Sequence, residues 1–216
     1  MEPIANQALL PLLSEDVGSA VIRAGVTKRF QTEQFIHQRG GGMPGLSIIL
    51  AGRVRFGIYT QRGAYIQTGV LGAGHCFGEA TLFAKTPRAY DADALGETEI
   101  CEISQARFEA LVEQSPEISK ALLVTLTTRL YEALEFADDL RALSPEDRIV
   151  KLLVRLSASG DFDDGVLPVR QIDIAYALGL SRVHVGAALK KLQERGVLKL
   201  GYREIVLRTR DTKIRL

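Results

Sequence analysis

The twelve residues Ser181 to Leu192, Ser-Arg-Val-His-Val-Gly-Ala-Ala-Leu-Lys-Lys-Leu, constrain this chain more than any other stretch. Val185, Leu189 and Leu192 recur at helical spacing and form an inward stripe, while Arg182, Lys190 and Lys191 point the other way. A second helical pattern, Gln171 to Leu178, lies just before it, and Gly179 separates the two. Two short helices with a glycine at the corner, the second capped by Ser181, make a helix-turn-helix. A helical hairpin of any purpose shows the same corner. Two features select DNA: the basic outer face, which suits the major groove, and the strand pattern directly after the second helix. Val197–Leu200, then Gly201-Tyr202-Arg203-Glu204, then Ile205–Leu207 read as a β-hairpin, the wing of a winged helix, with Arg203 at its tip.

Charge is distributed to match. The net formal charge is +1, which alone says nothing about nucleic acid. Residues 166–216 carry 11 basic and 4 acidic side chains, whereas residues 1–142 carry 13 basic and 17 acidic. A basic C-terminal module joined to a mildly acidic one is the footprint of a DNA reader fused to something else. A chain of 216 residues has room for both. No run of eighteen apolar residues occurs, so no membrane span is expected. The start, Met1-Glu2-Pro3, lacks the pattern of a signal peptide. Cys76 and Cys101 make no disulfide framework, which fits a cytoplasmic protein. Three scattered histidines give no metal-ligand pattern.

Residues 4–25 read as one or two short helices, and the texture then becomes β-like. Leu46–Leu50, Gly52–Tyr59, Tyr65–Leu71 and Thr98–Ile103 are short strands separated by glycine, as in an antiparallel barrel or roll. Gly40-Gly41-Gly42 reads as a flexible loop. From Pro116 the pattern is helical for about seven turns. Leu123, Leu126, Leu130, Ala133, Ala137 and Leu140 follow the 3-4 spacing of a two-stranded coiled-coil seam, which predicts pairing with a second copy. A second stripe, Ile118, Leu122 and Leu134, is expected to pack on the roll. Ser144-Pro145 starts a new helix, continuing through Ile149–Leu156, after which an acidic loop, Asp161–Gly165, leads to a strand at Val166–Val169.

The β-rich region also holds a ligand-binding pattern. In Phe77-Gly78-Glu79-Ala80-Thr81-Leu82, followed by Thr86-Pro87-Arg88-Ala89, glycine admits a close backbone approach. Arg88 offers a fork to a phosphate and Glu79 a carboxylate to a ribose hydroxyl. That combination suits a cyclic nucleotide. Glu79 and Arg88 could equally pair with each other and brace the roll.

The segment from Phe77 to Ala89 resembles the phosphate-binding cassette of cyclic-nucleotide-binding domains. Cassette, long helix, proline hinge and winged helix in this order resemble the catabolite activator protein and fumarate-nitrate reductase regulator (CRP/FNR) family over nearly the whole chain. The resemblance implies an α+β fold with a cyclic-nucleotide-binding-like β-roll over residues 1–115, a long dimerisation helix and hinge over 116–142, and a winged helix-turn-helix over 143–216. Within the cassette it implies Gly78, Glu79, Arg88 and Ala89 as effector-binding residues, Glu79 on the ribose and Arg88 on the phosphate. Ala89 matches the kinase form of the cassette, whereas the bacterial activator has serine there. Tyr90 and Asp91 depart from the family's small pair, and Asp91 is close enough in sequence to compete for Arg88. Ala133 and Leu134 stand where the family places a Thr-Ser pair that holds adenine. A cyclic nucleotide, another small ligand or none therefore all stay open as effectors.

On the DNA side the resemblance implies contacts from Arg170, Gln171, Ser181, Arg182, Val183, His184, Lys190 and Arg203. Arg182 matches the arginine that reads guanine. Val183 and Ala187 replace a glutamate and an arginine, so the family's operator does not transfer, and Val183 suits a thymine methyl instead. His184 and Ser181 suit backbone phosphates. The implied protein is a homodimeric transcription regulator that binds an operator in double-stranded DNA, and RNA polymerase if it activates. The alternative is a nucleotide-sensing or ligand-independent binding module. Haem is disfavoured, because His75 and Cys76 are adjacent on an extended strand and point to opposite faces. No catalytic constellation is visible, so no enzymatic role is expected.

Overall fold

A computed structural model of the protein describes residues 7–42, 44–59, 65–159, 166–167, 169–202 and 204–208. It divides into two compact units, Met1–Glu132 and Ala133–Leu216, with the boundary inside a single long helix. After a 3-10 turn at Leu10–Leu12 comes α1 (Glu15–Ala24). Eight strands follow: β1 (Val26–Phe30), β2 (Phe35–His37), β3 (Gly45–Ala51), β4 (Arg53–Tyr59), β5 (Tyr65–Gly72), β6 (Cys76–Phe77), β7 (Asp91–Ala94) and β8 (Thr98–Ser104). A short α2 (Glu79–Phe83) interrupts them, and α3 (Gln105–Gln114) and α4 (Pro116–Ala142) close the unit.

These strands make two antiparallel four-stranded sheets, in the orders β1-β8-β3-β6 and β2-β7-β4-β5. One core cluster draws Phe30, Ile49, Phe77 and Ile100 from the first sheet and Val54, Ala92 and Ala94 from the second, so the sheets face each other. Because side chains alternate along a strand, Ile48 and Cys101 point to the opposite face of the first sheet. There they join Val21, Leu82, Phe108, Ile118 and Leu122 from the four helices. Each apolar strand of this sheet thus feeds two cores. The sheet register fixes where the cassette emerges, since Phe77 pairs with Ser47 on β3 immediately before Gly78.

On α4 the stripe that packs on the roll is Ile118, Ala121, Leu122, Thr125 and Thr128, all buried. Leu134, expected to continue that stripe, is 53% exposed. Leu123, Leu130, Ala133 and Leu140, four of the six residues of the expected seam, are likewise exposed.

The second unit begins with the end of α4. Ser144 then caps α5 (Pro145–Ser159): its Oγ accepts from the Asp147 amide at 3.1 Å and donates to the Asp147 carboxylate at 2.6 Å. Lys151 on α5 bonds Glu135 (2.8 Å) and Asp139 (2.7 Å) on α4, and Arg155 pairs with Glu135 as well. Next come β9 (Val166–Leu167), α6 (Gln171–Leu178), α7 (Arg182–Glu194) and the hairpin β10 (Leu198–Leu200) and β11 (Ile205–Leu207). The small sheet runs β10-β11-β9. Ile149, Leu153, Leu167, Ile174, Val185, Leu189, Leu192, Leu198 and Ile205 form one core from all of these elements. The expected acidic loop Asp161–Gly165, Pro168 within the expected strand, and the wing residue Arg203 lie outside the described residues.

Candidate effector cavity and nucleic-acid interface

A cavity of about 380 Å3 opens between the second sheet, the cassette and α4. Its apolar wall includes Phe56, Leu71, Phe77 and Ala92, and its polar groups include His37, Glu79, Arg88 and Arg129. All four expected effector residues, Gly78, Glu79, Arg88 and Ala89, line it. Gly78 has φ +96°, the left-handed region that costs a side-chain-bearing residue. A Cβ there would lie 2.5 Å from the Gly45 carbonyl oxygen and 3.0 Å from Nη1 of Arg88. Glycine is what lets the arginine lie across the start of α2.

Glu79 is gripped by Arg129 rather than by Arg88. Its Oε1 accepts from Arg129 Nη1 at 2.6 Å, and Arg129 Nη2 donates to the Cys76 carbonyl at 2.7 Å. Both side chains are largely buried. Glu79 Oε2 and Arg129 Nε are buried and have no hydrogen-bond partner among the described residues. An acceptor left in that state carries a desolvation cost that a ligand hydroxyl would relieve. Arg129 was missed at the sequence level, yet a signal existed. It follows Ile118, Leu122 and Thr125 at spacings of four, three and four, a cation on the stripe that faces the roll.

Arg88 is positioned by its backbone. Its amide donates to the Gly41 carbonyl at 3.2 Å, and its carbonyl accepts from the Gly40 amide at 2.8 Å. Gly40 and Gly41, expected to lie in a flexible loop, are instead a bracket for the arginine; glycine at φ +79° permits the turn at Gly40. Asp91, expected to compete for Arg88, accepts from the Arg39 amide at 2.8 Å and so serves the same bracket. Burial, offset by the nearby Glu102 and Glu79, lowers the pKa of Arg88 from its ordinary value. His37 Nε2 lies 3.1 Å from Ser47 Oγ and 3.6 Å from Glu102. Burial, then the charge of Arg88, pushes the His37 pKa down to about 4, against the opposing pull of Glu102. A neutral imidazole therefore borders the cavity at neutral pH.

Ala133 and Leu134 do not line the cavity; both are exposed on α4, and Arg129 is that helix's contribution to the wall. Cys76 is fully buried, and burial pushes its thiol up to about 12. His75 Nδ1 lies 3.1 Å from the Gly72 carbonyl. Cys101 packs in the core, its thiol donating to the Ile22 carbonyl at 3.4 Å.

In the second unit, α6 and α7 meet at 111°, within the range of helix-turn-helix pairs. Gly179 supplies the corner with φ +63°, closing α6. Ser181 caps α7: its Oγ accepts from the His184 amide at 3.2 Å and lies 2.8 Å from His184 Nδ1. Both are thereby held at the helix N-terminus. Arg182, Val183 and Lys190 are exposed, and Arg182 and Lys190 form no ion pair among the described residues. Lys191, grouped with them in the outward basic face, is held by Glu146 on α5 at 3.0 Å. Arg170 caps α6 and grips Asp173 with two bonds of 2.7 and 2.9 Å, so its fork is already engaged. Gln171 is exposed at the first position of α6, its side-chain oxygen 3.4 Å from where a Cβ on Gly186 would stand. Tyr202, in the wing turn, is exposed and went unnoticed beside Arg203.

A β-roll with a phosphate-type cassette, followed by a winged helix-turn-helix, is the domain order of a DNA-binding regulator. Comparison with known proteins gives the same answer. Residues 27–115 match the model of the cyclic nucleotide-binding domain and residues 147–212 that of the Crp-like helix-turn-helix domain. The cAMP-activated global transcriptional regulator Vfr of Pseudomonas aeruginosa is 30% identical over 188 residues, covering 83% of this chain and 88% of Vfr. The cyclic AMP receptor protein of Thermus thermophilus is 30% identical over 72% of this chain and 71% of its own. The structure of the c-di-GMP responsive global regulator CLP of Xanthomonas campestris superposes with a TM-score of 0.78 at 27% identity, over 90% of this chain and 99% of that one. The chain belongs to the CRP/FNR family of transcription regulators. Like its relatives, it is a DNA-binding transcription regulator and not an enzyme. Among the described residues no single helix is long and apolar enough to cross a membrane.

Proposed function

We propose that the regulator acts as a homodimer whose DNA affinity is set by a cyclic nucleotide in the roll. The observation that carries the effector reading is the buried Glu79 Oε2, without a hydrogen-bond partner among the described residues, in the same cavity as Arg88. An acceptor for a ribose hydroxyl and a fork for a phosphate stand on one apolar chamber, bordered by Gly78 and Ala89. Relatives named for activation by cAMP, and one named for its response to c-di-GMP, support the ligand class. Residues 1–115 would serve as sensor, 116–142 as dimerisation helix and hinge, and 143–216 as DNA reader. Leu123, Leu126, Leu130, Ala133, Ala137 and Leu140 would form the seam between two copies. The exposure of Leu123, Leu130 and Leu140 supports it, because leucines at coiled-coil spacing gain stability only when covered.

On DNA, Arg182 reads a guanine edge, with Lys190, Ser181, His184, Gln171 and Arg203 on or near the backbone. Arg170 contributes charge rather than a fork. Ligand binding can shift the DNA-binding state only if the ligand prefers one conformation of the dimer. The reading puts the protein in the cytoplasm, consistent with two buried, unpaired cysteines, and gives it RNA polymerase as a partner where it activates.

A second reading is favoured by the Glu79–Arg129 pair, which engages the cassette carboxylate within the protein itself. Under it the cassette is structural and the regulator constitutive. Calorimetric titration with cAMP, cGMP and c-di-GMP separates the two. The first reading predicts binding of at least one, weakened roughly tenfold or more in Arg88→Ala by loss of a charge-assisted contact. Absence of heat with all three, or affinity unaltered in Arg88→Ala, supports the brace.

A further inference from the structure

Val183 is 81% exposed, in the first turn of a helix whose other valine and both leucines are buried. Its position on α7 is informative. Val185, Ala188, Leu189 and Leu192 are buried and define the inward direction. At 3.6 residues per turn, Val183 lies roughly 170° from their mean, on the crest of the outward face. Ala187 and Lys190 flank that crest one and two turns on, both exposed, and Arg182 stands to one side. The crest of a recognition helix is what descends furthest into the major groove, and its N-terminal residues meet base edges. Here the foremost residues are apolar: Val183, then Ala187.

We infer that Val183, supported by Ala187, is a specificity-determining contact that reads the 5-methyl group of a thymine beside the guanine held by Arg182. The inference rests on the DNA-binding reading above and adds the chemistry of the half-site. Thymine alone presents a methyl group in the major groove. Valine and alanine offer neither donor nor acceptor. An adenine amine, a cytosine amine or a guanine oxygen placed against them would lose water without gaining a bond. A β-branched side chain on a helix has one dominant rotamer, so the crest is stiff and its discrimination steric as well as hydrophobic. Lys190 beside the crest two turns on, with Arg182 at its side in the first turn, supplies the charge that brings the duplex to it.

The test uses the full-length protein. Duplexes are selected from a random library, and each thymine of the selected half-site is replaced in turn by deoxyuridine, which removes only the methyl. At one thymine or more in each half-site the replacement should weaken binding roughly three- to fivefold, the value of one buried methyl. In Val183→Ala, whose fold is checked by circular dichroism, that penalty should shrink towards none. Replacing the same thymine by cytosine should weaken binding, and 5-methylcytosine there should recover part of the loss. Deoxyuridine replacements without effect at every position, or a penalty unchanged in Val183→Ala, would overturn the inference while leaving DNA binding intact. Failure to enrich any duplex would overturn the DNA-binding reading, and the inference with it.

Discussion

Glu79 is bonded by Arg129, its charge acts on Arg88, and it begins a helix whose preceding residue must be glycine. Gly78→Ala sets a methyl against the Gly45 carbonyl and the Arg88 guanidinium at a φ of +96°. We expect it to lower the stability of the first unit by about 1–3 kcal/mol, read as a lower thermal midpoint, and to displace Arg88 so that effector affinity falls too. A midpoint equal to wild type would show that the left-handed turn is not required. His37 couples stability to pH. Its pKa drops on folding from 6.5 to about 4, so the unfolded chain binds the additional proton between those values. Folded stability therefore falls as pH drops from about 6.5 towards 4 and is unaffected by this group above that window. In His37→Gln the thermal midpoint should fall less over the same range. An identical pH profile in the variant would exclude His37 as the source.

At the scale of elements, the strands that announced themselves are those whose residues match their burial. β3, β4, β5 and β8 carry β-branched and aromatic side chains and were legible as strands. β7, Asp91-Ala-Asp-Ala, was not, since aspartate and alanine disfavour strands. It is a strand because Asp93, almost fully buried, is clasped by Arg55 at 2.6 and 3.0 Å and by Tyr65 at 3.3 Å. Those partners are 38 and 28 residues away in sequence, and no local pattern reports them. β1 is mostly exposed, with only Phe30 buried, so its apolar signal was weak. The cassette was readable in part for the same reason. Gly78, Glu79 and Arg88 lie in one local motif, whereas Arg129 and the Gly40–Gly41 bracket reach them from distant segments. On α4 the helix itself was legible from periodicity alone, but spacing could not sort its apolar positions, and Leu134, placed on the inward stripe, is exposed. Leu130→Glu tests that helix. Leu130 is 59% exposed, so the single chain should fold with its normal circular dichroism. Self-association should weaken by at least about 3 kcal/mol, since two buried leucines are lost, as measured by sedimentation equilibrium. Undiminished association would remove Leu130 from the interface.

At the scale of the whole molecule, the cyclic-nucleotide-binding-type domain and the helix-turn-helix domain fall in separate compact units whose boundary lies within α4. The end of α4 is tied to α5 by Lys151 and Arg155 on Glu135 and Asp139, and α5 is tied to α7 by Glu146 on Lys191. A displacement of α4 therefore has a path of packed and ion-paired elements to the recognition helix within the second unit. Pairing of two such chains along α4 turns one recognition helix into two related by a twofold axis. The most direct test is hydroxyl-radical footprinting of the full-length protein, with its effector, on a duplex selected from a random library. The account predicts two protected patches related by dyad symmetry, their centres about 34–36 Å apart, with both patches lost together in Leu130→Glu. A single protected half-site, unchanged in that variant, would contradict it.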